Sequence, residues 1–458
     1  MKGPLSGVLA GLLLSGAAPC MGAEVDIVHG DLIRFNDNGA WCWFQGPRVV
    51  FDPATGTLLI ASVADDWGEG GAEREGDVEV TAFDMASGGL SRFTLHDRLI
   101  SYNTGDDHNT PALWIRPDGR YLAMYAGHNN DNLSRYRVTT QPGDATEWGP
   151  ERHFDWAAAN PAGVDFPTSY SNLIYLPAER RLYNFARGDN RSPNVMVSDD
   201  DGETWRYGGK LTRTPAGVGY VNGYPKYASN GSDTIHFIIT EHHPRDFNNG
   251  VYHGFIRGGR THGSDGAVVD ESIFDEQAPT PTGFTPVIRG GQTIDGVRLT
   301  RAWTTDLVVD GRGLPHALLT ARADDDDTDH RFVHARFDGA SWIVHHLAAA
   351  GPGLYQREED YVGLGAIDPA DPDVLYLSTP VDQRDGVKTD HHEIYRGETE
   401  DGGETWRWDA VTEQSTADNL RPIVVNLPAG GSALLWYRGR YQWQHQYDTS
   451  IVGVIRGK

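Results

Sequence analysis

One pattern recurs along the chain and limits what it can fold into. A turn rich in Pro, Gly or Asp precedes a short run of alternating apolar residues, and polar or charged residues follow it. The copies are "GTLLIAS" from Gly56, "GRYLAMYA" from Gly119, "RRLYNFAR" from Arg180, "DTIHFIIT" from Asp233, "GLPHALLT" from Gly313, "PDVLYLST" from Pro372 and "GSALLWYR" from Gly431. Such alternation is typical of β-strands, so the chain repeats one strand-containing unit.

The spacing of the seven copies indicates the architecture. Their starting positions lie 53 to 80 residues apart, which leaves room for about four strands in each unit. Four-stranded units arranged around an axis form a β-propeller, which leaves few open sheet edges. We therefore predict an all-β, seven-bladed β-propeller over residues 24–458 as one domain. The widest interval predicts an insertion near residues 257–283.

Composition agrees with this fold and excludes some partners. The sequence has 55 Gly and 25 Pro and hardly a stretch of helical period, as expected for a chain with many turns. The formal net charge of −25 argues against nucleic acid or an anionic membrane as a partner. An anionic substrate would need a local group of cationic side chains to bind.

Residues 1–23 read as an export signal, with Lys2, a short apolar run and small residues before Glu24. We therefore expect a secreted protein, extracellular or periplasmic, and we expect a monomer. Removal of the signal leaves Cys42, so no disulfide can form within the chain. Cys42 is expected to be a buried apolar side chain.

Two stretches match the pattern S/T-x-D-x-G-x-T-W, which is the Asp-box turn of sialidase-like propellers. They are "SDDDGETW" (Ser198 to Trp205) and "TEDGGETW" (Thr399 to Trp406). The Asp and Thr side chains cap backbone amides, and Gly permits the tight conformation. We predict a structural role for both turns.

The ends of corresponding strands converge around the axis of a propeller, so polar residues after the repeated strands are site candidates. They include His128, Arg187, the segment His242 to Arg245, and Arg438. Other polar stretches contain His108 and Asn109, Tyr170, and Tyr224 with Lys226 and Tyr227. No close pair of carboxylates accompanies these groups, which argues against an ordinary two-carboxylate glycosidase.

This set of side chains suits β-elimination at a uronic acid. Loss of the C5 proton becomes easier when a cation or strong hydrogen-bond donors stabilise the charge on the neighbouring carboxylate. A base must reach C5, and an acid must protonate the O4 leaving group. Imidazole, phenol and guanidinium groups can perform these tasks without a redox cofactor.

The chain also resembles the BNR-repeat propeller proteins that include seven-bladed ulvan lyases. The resemblance is carried by "NGAWCWFQGPRVV", "DDHNTPAL", "YAGHNN", "TSYSNLIYL", "NFARG", "YPKYASNG", "TEHHPRDFNNGVYHG" and "HHEIYRG", in order over most of the chain. Ulvan lyases cleave between a sulfated rhamnose and a glucuronic or iduronic acid by β-elimination.

The resemblance implies roles for particular residues. His108 and Tyr170 would transfer protons, either one serving as base or acid, and His128 and Arg187 would lie near the uronate carboxylate. Tyr227 would form a wall of the substrate site, with Asn109 and Lys226 as further contacts.

The resemblance also implies a structural calcium or zinc ion, although the chemistry itself requires no cofactor. Candidate ligands are His243, His253, His316 and His334. No cysteine lies beside them, which argues against a zinc site with thiolate ligands.

These observations give one leading function and several alternatives. The leading hypothesis is a secreted polysaccharide lyase acting on a rhamnose–uronate polymer of the ulvan type. The alternatives are an exo-acting enzyme specific for rhamnose–glucuronate, a sialidase-like glycoside hydrolase, and a glycan-binding propeller without catalysis.

Overall fold

The computed structural model describes residues 25–100, 103–160, 167–213 and 223–457, and within them it is a seven-bladed β-propeller. The expected export signal lies outside the described residues, so secretion stays a prediction. No described helix has the length and apolar character needed to cross a membrane. Each repeat found in the sequence forms one strand of one blade, the second strand in six blades and the third strand in the fifth blade, which confirms the predicted architecture.

Two short strands, β1 (Ile27–Val28) and β2 (Ile33–Asn36), precede the blades. The first three blades are four-stranded antiparallel sheets. Blade 1 has β3 (Val49–Asp52), β4 (Thr57–Val63), β5 (Val78–Asp84) and β6 (Leu90–His96). Blade 2 has β7 (Ala112–Ile115), β8 (Tyr121–Ala126), β9 (Leu133–Val138) and β10 (Arg152–Asp155). Blade 3 has β11 (Leu173–Leu176), β12 (Arg181–Arg187), β13 (Pro193–Ser198) and β14 (Arg206–Lys210).

The next two blades carry additional strands. Blade 4 has β15 (Pro225–Ser229), β16 (Thr234–Thr240), β17 (Val251–Arg257), β18 (Arg260–Gly263), β19 (Val268–Asp270) and β20 (Thr285–Ile288). Blade 5 has β21 (Gln292–Ile294), β22 (Val297–Val309), β23 (Pro315–Ala323), β24 (His330–Phe337) and β25 (Trp342–Gly351). The insertion predicted near residues 257–283 therefore includes two of the extra strands of blade 4.

The last two blades complete the ring. Blade 6 has β26 (Gly365–Ile367), β27 (Val374–Val381), β28 (Lys388–Glu398) and β29 (Arg407–Ala410). After β30 (Thr412–Glu413), blade 7 has β31 (Asp418–Asn426), β32 (Ser432–Trp443) and β33 (Gln446–Arg456). The N-terminal strand β2 pairs with β33 as its fourth strand, and β1 pairs with β30, so the two ends of the chain close the ring.

Helical structure is limited to single turns. The one α-helix of the described residues is Trp156–Ala159. Three-residue 3₁₀ turns occupy Gly71–Glu73, Asp107–Asn109, Asp189–Arg191, Pro281–Gly283 and Pro428–Gly430.

The core is divided among the junctions between blades. The described residues form seven buried apolar clusters, one at each junction of neighbouring blades. At the junction of blades 2 and 3, for example, Leu122 and Trp156 pack with Leu182 and Met196. Since such burial stabilises by about 25 cal/mol per Å², every blade depends on both neighbours for its stability.

The two sequence motifs form turns between the third and fourth strands of blades 3 and 6. Asp200 accepts hydrogen bonds from the backbone amide of Thr204 (2.9 Å) and from its hydroxyl (2.5 Å). Asp401 makes the same pair of contacts with Thr405, at 2.9 and 2.6 Å. Gly202 has φ of +84°, which side-chain-bearing residues rarely adopt.

Residues 40–48 run through the centre of the ring, and we call them the central segment. The carbonyl of Phe44 accepts a hydrogen bond from Asn172 of blade 3 (2.9 Å), and the Trp43 indole donates to the Thr304 carbonyl of blade 5 (3.0 Å). The Trp41 carbonyl accepts from Arg421 of blade 7 (2.8 Å). Cys42 is fully buried here. The segment therefore separates two cavities at opposite ends of the axis.

The ring closure generates a test of stability. Gly453 of β33 lies between β32 and β2, and a Cβ placed there would approach the Leu434 carbonyl oxygen to 2.4 Å and the Phe35 ring to 3.1 Å. We expect Gly453→Ala to destabilise the protein by about 2 kcal/mol, because overpacking forces the strands apart. Thermal unfolding followed by circular dichroism would show this as a lower Tm.

Gly311→Ala is the matched control, because a Cβ at Gly311 meets nothing within 4 Å. Its Tm should equal that of the wild type. Equal melting of the two variants would contradict the assigned closure of the ring.

Candidate active site

A cleft of about 420 Å³ opens at the end of the axis where the second strands of the blades finish. His128 follows β8, Arg187 ends β12, His243 follows β16, and Trp443 ends β32. Because these strands are spread around the ring, residues distant in sequence meet in one cleft. The cleft brings together His108, His128, Tyr170 and Arg187, the four residues predicted to perform the chemistry.

One carboxylate joins the two histidines. Asp106 accepts a hydrogen bond from His108 Nδ1 through Oδ1 (2.8 Å) and one from His128 Nδ1 through Oδ2 (2.8 Å). The imidazole rings stack with centroids 4.3 Å apart and an angle of 9° between their planes. Asp106 is fully buried and caps the 3₁₀ turn Asp107–Asn109, which fixes the carboxylate between the rings.

The two histidines differ in protonation. Burial, together with the charges of His108 and Arg187, lowers the pKa of His128 to about 4, although Asp106 opposes the shift. Burial acts in the same direction on His108, but its acidic neighbours, among them Cys42, Asp106 and Asp107, outweigh it and raise its pKa well above the usual value. Two imidazolium rings in contact repel each other, so the pair holds one positive charge, on His108.

The hydrogen bonds agree with this division. Arg187 Nη2 lies 3.0 Å from His128 Nε2. Because a guanidinium can only donate, His128 Nε2 accepts this hydrogen bond, and the His128 imidazole is neutral. His108 Nε2 lies 3.3 Å from the Tyr361 hydroxyl, towards which an imidazolium would direct its second proton. Asp107 adds a second carboxylate at 2.6 Å from His108 Nδ1.

Arg187 and Tyr170 form the next part of the cleft. The Arg187 guanidinium lies 4.7 Å from the Tyr170 ring centroid, and Nη1 donates to the Tyr170 hydroxyl at 3.3 Å. Tyr170 has φ of +68°, a conformation that is sparsely populated for a bulky residue and that places its side chain over the histidine pair. Burial raises the pKa of Tyr170 to about 12, against the opposing effect of Arg187 and His108.

The opposite wall combines arginines with one carboxylate. Arg245 Nη1 binds Glu358 Oε1 at 2.6 Å, and His243 Nε2 lies 3.4 Å from Glu358 Oε2. Burial lowers the pKa of His243 to about 3. Burial also raises the pKa of Glu358, and the charge of Arg245 opposes this second shift. The lining also includes Arg191 and Arg357. Together with Arg187 and Arg245, they bring four guanidinium groups into the cleft. Since the protein has a net charge of −25, an anionic ligand would require such a local group of cations.

The floor of the cleft is aromatic and rests on the central segment. Tyr361 packs against Trp43 with ring centroids 4.9 Å apart, and Tyr224 packs against Phe44 at 4.6 Å. Gln45 Nε2 of the same segment donates to the His108 carbonyl at 2.6 Å. The conformation of His108 is thus held by both the segment and the blades.

Three residues proposed as substrate contacts lie outside the cleft. Asn109 is fully buried behind His128, whose backbone amide donates to Asn109 Oδ1 at 2.8 Å. Lys226 and Tyr227 lie within β15, where Tyr227 stacks on Phe185 at 4.5 Å and Lys226 Nζ donates to the Trp43 carbonyl at 2.7 Å. Tyr224 lines the cleft instead, because it directly precedes β15, whereas Lys226 and Tyr227 lie inside this strand.

Arg438 also lies elsewhere. The strand β32 continues to Trp443, so Arg438 falls inside the strand and binds Asp26 at the outside of blade 7. Trp443 and Gln444 line the cleft in its place.

Sequence reasoning missed Asp106 as the bridging group, and it missed Tyr361, Arg357 and Glu358 entirely. A signal for Tyr361 exists, because Tyr170, Tyr224 and Tyr361 each precede the innermost strand of a blade by a few residues. The side chain of Asp106 gave no such signal, since acidic residues beside a turn are usually solvated.

The four histidines proposed as metal ligands do not gather into one site. His253 hydrogen-bonds through its two nitrogens to His236 (3.1 Å) and Ser264 (2.7 Å). His316 and His334 face each other in blade 5 with centroids 6.2 Å apart, while His243 faces Glu358 in the cleft. Among described residues, the two groups with three ligand atoms within 4.8 Å are Cys42–Asp107–His108 and Asp106–His108–His128.

In the second of these groups the ligand atoms already serve the histidine–carboxylate hydrogen bonds. His243, His253, His316 and His334 lie in separate places. These four histidines therefore do not fit the implied structural calcium or zinc ion.

Comparison with known proteins gives matches to a family model and to solved structures. No curated protein gives a match. An ulvan lyase of polysaccharide lyase family PL25, solved with -[GlcA(1-4)Rha3S]-, superposes with a TM-score of 0.66 at 15% identity, covering 93% of this chain and 98% of that chain. The polysaccharide lyase Uly1 gives a TM-score of 0.55 at 11% identity, covering 94% and 98%.

At these identities the likeness establishes the fold. The model described as a BNR repeat-containing family member matches residues 73–350, which is more than half of the sequence. The chain belongs to the BNR repeat-containing family.

Proposed function

We propose that the protein is a polysaccharide lyase that cleaves rhamnose–uronate linkages by β-elimination at the uronate. The observation that carries the proposal is the cluster of His108, His128, Tyr170 and Arg187 in one cleft around Asp106. Support also comes from the ulvan lyase of the same fold, whose bound oligosaccharide joins GlcA to Rha3S.

Arg187 is positioned to bind the uronate carboxylate. Arg187 is 7% exposed as a residue, and its Nη2 contacts neutral His128. In such a setting a fixed cation stabilises the negative charge that develops on the carboxylate when C5 loses its proton.

We assign the two proton transfers to Tyr170 and His108. The ionised phenol of Tyr170 takes the proton from C5, since Arg187 and the His108 imidazolium both favour its anion. Electrons of the C5–H bond form the C4–C5 double bond, and the bond from C4 to O4 breaks. His108, which carries a proton on Nε2, gives that proton to O4. The products are an unsaturated uronate and a free hydroxyl on the leaving sugar.

The remaining arginines fit a polymer that bears further negative charge. Arg245 and Arg357 also line the cleft, and the Arg357 guanidinium lies 4.5 Å from the Trp443 ring centroid. Arg191 donates to Asn129 Oδ1 at 2.8 Å, beside His128. Guanidinium groups bind sulfate through paired hydrogen bonds, and an exposed aromatic ring packs against sugar faces. A sulfated rhamnose next to the uronate suits this part of the cleft.

The direct test is incubation with ulvan while ultraviolet absorbance and reducing ends are followed together. We expect absorbance from the conjugated double bond of the unsaturated uronate to rise in step with the reducing ends. Reducing ends without that absorbance would indicate hydrolysis by a sialidase-like or other glycosidase mechanism, and neither signal would indicate a glycan-binding propeller. Either result would overturn the proposal.

Arg187→Gln tests the role of the guanidinium. We expect kcat/KM to fall by about 10²- to 10³-fold, because a preorganised charge at the developing anion is lost. Arg181→Gln is the matched control: Arg181 begins the same strand, binds Asp199 at 2.6 Å and lies outside the cleft. Its kcat/KM should equal that of the wild type. Equal kinetics for the two variants would remove Arg187 from the site.

The pH dependence tests the assignment of Tyr170 as base. The base form is the phenolate, and the pKa of Tyr170 is raised to about 12 by burial, so this form increases with pH. His108 stays protonated because its pKa is raised. We expect log kcat/KM to rise with a slope of about one between roughly pH 7 and pH 9. A flat profile, or full activity in Tyr170→Phe, would contradict the assignment.

A further inference from the structure

The second cavity of the ring lies beneath the central segment, at the opposite end of the axis from the cleft. This axial cavity has a volume of about 600 Å³ and is lined by the innermost strands of all seven blades. Pockets of this size bind small organic molecules in many proteins. The proposed reaction uses none of its lining residues, so its side chains need another explanation.

Three cations line the axial cavity, and one of them, Arg421, is paired with Asp107 at 2.7 Å. The other two, Arg48 and Lys226, form no carboxylate ion pair among the described residues. Arg48 Nη1 donates to the Cys42 carbonyl at 2.7 Å, and Lys226 Nζ donates to the Trp43 carbonyl at 2.7 Å. An ammonium has three donors, so Lys226 keeps two for another partner. The Nε of Arg48 is buried and makes no hydrogen bond within the described residues. Both residues line the cavity, Lys226 with two unused donors and Arg48 with one buried donor that has no partner among the described residues.

The charges of Arg48 and Lys226 are not balanced. Asp306 is the carboxylate whose charge acts on both cations, and its Oδ2 already accepts from the Ile367 amide at 2.9 Å. Burial and the charge of Arg48 together lower the pKa of Lys226 to about 8, against the opposing effect of Asp306. Buried cations close together are stable only with compensating negative charge. One carboxylate against two cations leaves room for one anion.

The walls of the cavity add an aromatic surface. Trp114 and Tyr175 of neighbouring blades lie side by side with ring centroids 5.2 Å apart, and both are partly exposed. A ligand that fills this space carries one negative charge at one end and a face that packs on aromatic rings. An acidic monosaccharide meets both requirements, whereas an inorganic anion would leave the aromatic wall uncovered.

We propose that the axial cavity is a second binding site, which takes a uronic acid monosaccharide with its carboxylate at Arg48 and Lys226 and its ring against Trp114 and Tyr175. The proposed lyase activity supplies a source of uronate-ended sugars, but the binding itself does not depend on that activity.

Calorimetric titration of the full protein tests the site directly. The titration uses Arg187→Gln, which weakens carboxylate binding in the cleft, with D-glucuronate, D-glucose and inorganic sulfate as ligands. We expect saturable binding of glucuronate with one site per chain, and no binding of glucose at about 10 mM. Sulfate should bind at least tenfold more weakly than glucuronate, because it lacks the sugar ring.

Two further substitutions locate the bound ligand. In the Arg187→Gln background, Lys226→Met should weaken glucuronate binding about tenfold, and Asp306→Asn should strengthen it by a similar factor because a like charge is removed. Melting temperatures verify that each variant folds. If Lys226→Met fails to fold, Asp306→Asn alone decides, since only an anion bound beside Asp306 gains affinity from this change.

Absence of glucuronate binding would overturn the proposal, as would glucuronate binding that neither substitution alters. Sulfate binding as tight as glucuronate binding would overturn the assignment to a sugar. A lyase assay without product leaves these binding results unchanged, so failure of the second site and failure of the proposed catalytic function are separable.

Discussion

The arrangement of the cleft depends on the carboxylate of Asp106, which hydrogen-bonds to both histidines from a fully buried position. A buried charge is stable only when it is paired and hydrogen-bonded, so Asp106 requires both rings and holds them in contact. Because the rings share one carboxylate, one becomes charged and the other stays neutral. With that division His128 accepts a hydrogen bond from Arg187, and His108 keeps the proton that the proposed reaction requires.

The propeller brings these groups together through its symmetry and its central segment. Strand ends from different blades supply His128, Arg187, His243 and Trp443 at one mouth of the ring. The central segment then fills the axis, where it supports the cleft floor from one side. On the other side it carries Arg48, which donates to its own Cys42 carbonyl, and accepts a hydrogen bond from Lys226. A single segment therefore connects the chemistry of the cleft to the charge of the axial cavity, and the ring would lack a closed floor without it.

Most of the fold was predictable from the sequence, and the site only in part. The repeated strand is a local pattern of apolar alternation, so its seven copies identified seven blades and one strand of each. Residues directly after these strands, such as His128 and Arg187, reached the cleft as predicted. Lys226 did not, because its position within β15 turns its amine towards the other cavity.

Asp106 and Tyr361 show the limit of sequence reasoning in physical terms. The function of Asp106 comes from a contact with His128 across 22 positions, and Tyr361 meets His108 across 253. Nothing local distinguishes Asp106 from a solvated turn acid, and the position of Tyr361 ahead of an innermost strand does not reveal its contact with His108. Their roles appear only once the ring is closed and its interior is desolvated.

The central claim is that the histidine pair holds one positive charge, located on His108. Nitrogen-15 magnetic resonance of the labelled imidazole side chains measures this directly, with His108→Gln and His128→Gln providing the assignments. At about pH 7 the account predicts an imidazolium at His108 and a neutral ring protonated on Nδ1 at His128. Two neutral rings, or a charge on His128 with a neutral His108, would contradict it.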